Sequence, residues 1–399
     1  MKSLSKVVAA MPRSGIREFM EIASKLEDVI HLEAGEPDFV TPGSIIDAGF
    51  EAARSGFTKY TSNAGFLSLR EALARKVREQ NCLAGVTAAN IVLTPGSVGA
   101  LATGVLAVTN PGDEVLVPDP GWPNYINMVL LAGATPVLYP LRREHGYLPD
   151  LDELDGLVTP RTKLIMLNNP CNPTGRVFPR EVVARLAAFA ARHDLYVLSD
   201  EIYEAMVFEG VHEPIAQFDA DGRAITVFGF SKTFAMTGWR LGYAVAAKPV
   251  AELIMRLQEP LVSCASAISQ KAAESALALP ADVSGAMRDA YRERRDAVVR
   301  VLGGGDGGVN RLACVPEGAF YALVDLSDVG RDTYAIAHEL LRVERVATAP
   351  GETFGPSCAG LLRIAFTTGL AEVEEGCLRI QRFAGRRGPD GKSGGGSGS

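Results

Sequence analysis

Residues 163–175, KLIMLNNPCNPTG, place an apolar run (Lys163–Leu167) directly before a turn rich in Asn, Pro and Gly (Asn168–Gly175). A helical stretch, Arg180–His193, follows. A short Leu/Ile-rich run, a turn with strong breakers, then a helix is one strand-to-helix unit of an α/β sheet. Working outward, the same unit recurs: Asn90–Thr94, Asp113–Val117, Leu195–Ser199, Ala224–Phe228 and Gly242–Ala246 are further short apolar runs. Between them lie helical stretches such as Ser97–Thr109, which stops at Asn110-Pro111-Gly112-Asp113. Strands that are apolar on both faces and alternate with helices predict a mostly parallel sheet sandwiched by helices.

C-terminal to that region, long helical patterns at Val250–Leu279 and Ser284–Leu302 lead to strand-like Ala319–Asp325 and Leu361–Phe366, which predict a smaller α+β domain. Gly385–Ser399 is Gly/Ser-rich without apolar periodicity and is expected to be a flexible tail, its last residues a linker. The 399 residues suit two domains or one large α/β unit.

Composition narrows the classes. The chain is 47% hydrophobic and 22% charged, as expected of a globular protein. A net charge of −7 with no Lys/Arg block argues against nucleic acid as a partner. The N-terminus has neither a signal-peptide core nor a membrane span, so a cytoplasmic location is expected. Six cysteines stand singly without a C-x-x-C pair, and the five histidines lie far apart without H-E-x-x-H, so no metal is expected.

Open parallel sheets bind ligands beyond the carboxyl ends of their strands. There the sequence sets Trp122, Asn172, Asp200, Tyr203, Ser231, Lys232 and Arg240 at successive strand ends, and Gly96-Ser97-Val98 at a strand-to-helix junction suited to a phosphate. Each has an ordinary reading alone: a surface lysine, a helix cap, a packed tryptophan, a turn. Together they match the needs of pyridoxal 5'-phosphate: an amine to anchor it and move protons (Lys232), a carboxylate for its pyridine nitrogen (Asp200), and partners for its ring hydroxyl (Asn172, Tyr203). Trp122 offers a stacking face, and Ser231 and Arg240 complete a phosphate cradle.

At these residues the chain resembles the class I, aspartate aminotransferase-like family of fold-type I pyridoxal-phosphate enzymes. The resemblance rests on Gly35–Phe39 (GEPDF), Tyr60-Thr61-Ser62, Asn169–Gly175, Ser199–Tyr203 (SDEIY) and Ser231–Gly242 (SKTFAMTGWRLG), and spans about Met11 to Phe383. It implies that Arg363 and Asn172 bind the substrate α-carboxylate beside Gly35, that Trp122 contacts the substrate, and that Tyr60 reaches the cofactor phosphate of the other subunit, making a homodimer with shared sites. It also implies a small domain formed by residues 1–45 and 284–384 around a large cofactor-binding domain, 46–283. The expected activity is transfer of an amino group from an amino acid to a 2-oxo acid in two half-reactions through Lys232. Diversion of the same carbanion to β-elimination, decarboxylation or oxidation is the alternative, and the identity of the amino acid is left open. A ligand-sensing domain fused to a DNA-binding module is disfavoured because the motifs begin by Gly35, and a nicotinamide-binding Rossmann enzyme because no G-x-G-x-x-G follows the first strand.

Overall fold

The computed structural model describes residues 2–12, 14–305 and 308–387. After a two-residue strand β1 (Ile30–His31) the chain builds a sheet from β2 (Ile91–Pro95), β3 (Glu114–Asp119), β4 (Thr135–Pro140), β5 (Thr162–Asn168), β6 (Tyr196–Asp200), β7 (Ala224–Gly229) and β8 (Leu241–Ala246). Their order across the seven-stranded sheet is β2-β8-β7-β6-β5-β3-β4. Strand β8 is antiparallel to both neighbours, and the other pairs are parallel. The expected mostly parallel α/β sheet is therefore present.

Side-chain alternation explains why the strands read as continuous apolar runs. Val115, Val117, Leu164, Met166 and Leu198 belong to a core with Ala100, Leu101 and Val105 of helix Gly96–Val108. Their neighbours Leu116, Ile165, Leu167 and Val197 belong to a second core with Val183, Leu186 and Phe189 of helix Arg180–Arg192. Both faces are covered, so apolar residues are needed at every position. Gly104 lets its helix sit close to the sheet, since a Cβ there would come 3.0 Å from Leu198.

The six expected strands occur with ends shifted by at most two residues. Strand β4 escaped the reading because Pro136 and Pro140 interrupt its pattern; it lies at the sheet edge, where proline is tolerated. The helical pattern Val250–Leu279 is in fact two helices, Lys248–Val262 and Ala267–Leu277. Ser263 breaks it at φ +61°, and the Ser266 hydroxyl caps the second helix at Ser269 N. Pro260, three residues before the break, was the one breaker signal in that stretch, and the reading passed over it.

The C-terminal region holds β9 (Tyr321–Asp325), β10 (Val346–Ala347), β11 (Ala349–Pro350) and β12 (Leu361–Ala365), with β11-β12-β9 forming an antiparallel sheet. Strand β1 pairs in parallel with β10. Phe19, Ala23 and Leu32 share one core with Leu340, Val373 and Ile380, so the N-terminal segment packs into the C-terminal region. Gly385–Arg387, expected in the tail, instead end the helix Leu370–Arg387; the rest of that tail lies outside the described residues. No described helix is long and apolar enough to cross a membrane.

Candidate active site

A cavity of about 500 Å³ lies where the carboxyl ends of the strands meet the N-terminal segment and β9–β12. Its lining includes Gly35, Ser97, Val98, Trp122, Asn172, Asp200, Tyr203, Ser231, Lys232, Arg240 and Arg363. Most residues singled out from the sequence thus converge. Gly96 sits just behind this wall: at φ +72° it lies so close to Arg240 that a Cβ would come 2.5 Å from the guanidinium. Tyr60 does not reach the cavity of its own chain; it is 87% exposed and borders a separate surface depression with Cys264.

Lys232 faces into the cavity, and its Nζ donates to the Gly35 carbonyl at 2.7 Å. Burial, reinforced by the charges of Arg240 and Arg363, lowers its pKa to about 8 against the pull of Glu36 and Asp200. The amine is therefore neutral at a pH where an exposed lysine is fully charged. Asp200 ends β6 and is buried, which raises its carboxyl to about 6; the Tyr125 hydroxyl, donating to Oδ2 at 2.7 Å, and the Ile202 amide oppose the rise. Tyr125 itself is fully enclosed beside Trp122, with ring centroids 5.5 Å apart and nearly perpendicular planes.

Asn168 ties two of these groups together. Its Nδ2 donates to the Asp200 carbonyl at 2.9 Å, and its Oδ1 accepts from the Asn172 amide at 2.6 Å. Asn172 Oδ1 is buried with no hydrogen-bond partner, an arrangement that is costly unless a ligand supplies the donor. Arg363, from β12, is 1% exposed, donates to the Glu33 carbonyl, and stacks on Tyr321 and Phe354 with Cζ 4.6 and 5.0 Å from the ring centres. Its Nε has no partner either. Buried cations are normally paired, so this guanidinium is set for an anion from solution.

These features fit pyridoxal phosphate. Helix Gly96–Val108 starts without a side-chain cap, and its N-terminus, with Ser97, Ser231 and Arg240 beside it, suits a phosphate. Gly242 permits this by its bare Cα, since a Cβ there would fall 2.3 Å from Ser97 N. The orphaned Asn172 oxygen, the buried Asp200 and the softened Lys232 are the remaining groups the cofactor needs.

Sequence reading missed Tyr125, Asn168, Tyr321 and Arg17, which also line the cavity. Asn168 stands in the quoted turn beside Asn172, and its amide was a visible signal. Tyr125 lies three residues after Trp122, on the short helix Asn124–Leu131 that begins just beyond it. Tyr321 and Arg17 carry no local signal, because distant segments bring them in.

A family model described as "Aminotransferase class I and II" matches residues 27–380. The chain is 36% identical to the "Putative aminotransferase YugH" of Bacillus subtilis (strain 168), over 95% of this chain and 98% of that protein. It is 38% identical to an aspartate aminotransferase of Pyrococcus abyssi, over 92% of this chain and 95% of that one. Among solved structures, the aspartate aminotransferase of Thermus thermophilus with maleate superposes with a TM-score of 0.90 at 38% identity, covering 96% of this chain and all of that one. With the strand-end motifs gathered in one cavity and the match running through nearly the whole fold, the chain belongs to the class I and II aminotransferase family.

Proposed function

We propose that this aminotransferase holds pyridoxal 5'-phosphate on Lys232 and moves an amino group from an amino acid to a 2-oxo acid, with Lys232 as the base. The observation that carries this reading is the shared cavity: a lysine with its pKa near 8, a buried carboxylate and a buried arginine without a carboxylate partner among the described residues line one space. When bound, the cofactor supplies an electron sink for the charge left at the substrate Cα.

The residues of the chain do the rest. Arg363, with Asn172 beside it, binds the α-carboxylate in a bidentate pair and so fixes the direction of the Cα–H bond. Lys232 Nζ takes the Cα proton, which its lowered pKa permits near neutral pH. Asp200 keeps the pyridine nitrogen protonated, Tyr203 and Asn172 hold the ring hydroxyl, Trp122 stacks on the ring, and Gly96, Ser97, Val98, Ser231 and Arg240 hold the phosphate. Tyr60 completes the cradle from a second copy in a homodimer; its exposure and its distance from its own cavity support that assignment. A large domain of 46–283 and a small domain of 1–45 with 284–384 follow from the same reading, supported by the core that Phe19 and Leu32 share with Val373 and Ile380.

An acidic amino acid is the first donor to test. Relatives carry aspartate in their names, and Arg17 on the cavity rim has no ion pair among the described residues, so it is free to meet a distal carboxylate. The test adds one amino acid at a time to purified holoenzyme and follows the visible spectrum. Conversion to the amine form of the cofactor, reversed by a 2-oxo acid, is the expected result. Release of ammonia, sulfide or carbon dioxide without reversible exchange overturns the reading in favour of a lyase.

A further inference from the structure

Tyr321, in β9, is 2% exposed and joins the cavity at a point where three functional groups meet. Its hydroxyl lies 2.8 Å from the Tyr203 hydroxyl. Its ring carries the Arg363 guanidinium, 4.6 Å from ring centre to Cζ. The same hydroxyl fills the space a side chain at residue 35 would take, 2.1 Å from a Cβ built on Gly35. Phe320 and Tyr203 pack against the ring, with centroids 4.9 and 5.6 Å away. The ring is held from several sides and cannot swing without displacing the residues that meet the substrate.

Proton counting then fixes the direction of the phenol pair. Each hydroxyl has one proton and spare acceptor capacity, and within the pair either can donate. Burial holds both phenols above the ordinary tyrosine range, so both stay protonated. If Tyr203 spends its proton on a ligand in the cavity, the hydrogen bond to Tyr321 survives only with Tyr321 as donor. A phenol that accepts one hydrogen bond is a stronger donor of the next.

We propose that Tyr321 is a positioning residue whose hydroxyl donates to Tyr203 and thereby aims and strengthens the Tyr203 hydrogen bond to the cofactor's ring oxygen. The inference rests on the role given to Tyr203 above. A donor at that oxygen stabilises its anionic form, so weakening the donor raises the pH at which the bound chromophore loses its proton.

Tyr321→Phe keeps the ring beneath Arg363 and removes only the hydroxyl. The visible absorbance of the holoenzyme, titrated with pH, is expected to show a midpoint about half a unit or more above wild type. Tyr203→Phe is expected to raise it further, and adding Tyr321→Phe to that variant to change nothing more, because the effect runs through Tyr203. An unmoved midpoint in Tyr321→Phe, with Tyr203→Phe displaced, overturns the relay alone. Additive shifts in the double variant also overturn it. An unmoved midpoint in Tyr203→Phe removes the Tyr203 assignment itself, and the relay with it.

Discussion

The cavity wall built by the seven-stranded sheet and the wall built by the N-terminal segment with β9–β12 differ in how the chain assembles them. On the sheet side, Asn168 reaches the Asp200 carbonyl across 32 residues, between adjacent strands β5 and β6. The joints that reach the other wall are longer, Lys232 to Gly35 spanning 197 residues and Tyr203 to Tyr321 118, and within that wall Arg363 to Glu33 spans 330. The sheet wall is braced by two apolar cores, and the second wall meets it through these polar joints and through a third core in which Ile202, Tyr203 and Met206 pack with Phe320, Tyr321 and Leu362. Under the proposed function most cofactor-binding groups fall on the first wall, and Arg363, which would bind the substrate carboxylate, falls on the second.

Substitutions on the two walls are expected to separate these duties. The largest effect belongs to Lys232→Ala on the sheet wall, which removes both anchor and base; turnover is expected to fall by about 10⁴-fold or more, measured as steady-state kcat, with the lysine-bound absorbance lost. If that variant retains turnover, the assignment of Lys232 fails. Arg363→Ala on the opposite wall is expected to lower kcat/KM by about 10²- to 10³-fold while leaving the cofactor absorbance in place, because it removes a buried charge-assisted pair with substrate only. Loss of cofactor in that variant shows the walls to be one unit instead of two.

The depressed amine of Lys232 gives a pH test of the same distinction. The amine reacts only when neutral, which is the form above its pKa. Capture of pyridoxal phosphate by apoprotein is therefore expected to accelerate about tenfold per unit up to pH about 8 and level off above it, rather than near the 10.5 of an ordinary lysine. Continued acceleration beyond pH 9 shows that the cavity does not soften this lysine. The smallest effect is expected from Arg17→Ala: a loss of about two- to tenfold in kcat/KM for aspartate and no change for alanine, since an exposed ion pair is weak. Equal losses for both donors remove Arg17 from side-chain recognition.

Legibility follows the same division. The sheet-side residues were readable because each follows the end of an apolar strand run: Asn172 in the Asn-Pro-Thr-Gly turn, Asp200 directly after its run, and Lys232 shortly after Ala224–Phe228. Arg363 and Gly35 were reached only through family resemblance, for Arg363 in Leu362-Arg363-Ile364 reads locally as an edge-strand charge. Tyr125 was missed although it donates to Asp200, because a tyrosine on an apolar helix looks like core until its hydroxyl is seen 2.7 Å from the carboxylate. The break at Ser263 was missed because a positive φ at serine is not a preference of that residue, and the only local breaker, Pro260, stands three residues earlier inside the helix.

By itself the sequence determined the alternation of apolar strands and helices, the turns that end them, and the functional groups those turns carry, because period and breaker residues act over short spans of chain. Only the tertiary structure decided that Arg363 and Asn172 keep unpaired buried atoms, that Lys232 is softened to a pKa near 8, and that Tyr321 stands against Tyr203. Those properties depend on desolvation and on approaches between segments more than a hundred residues apart, and no local pattern encodes either.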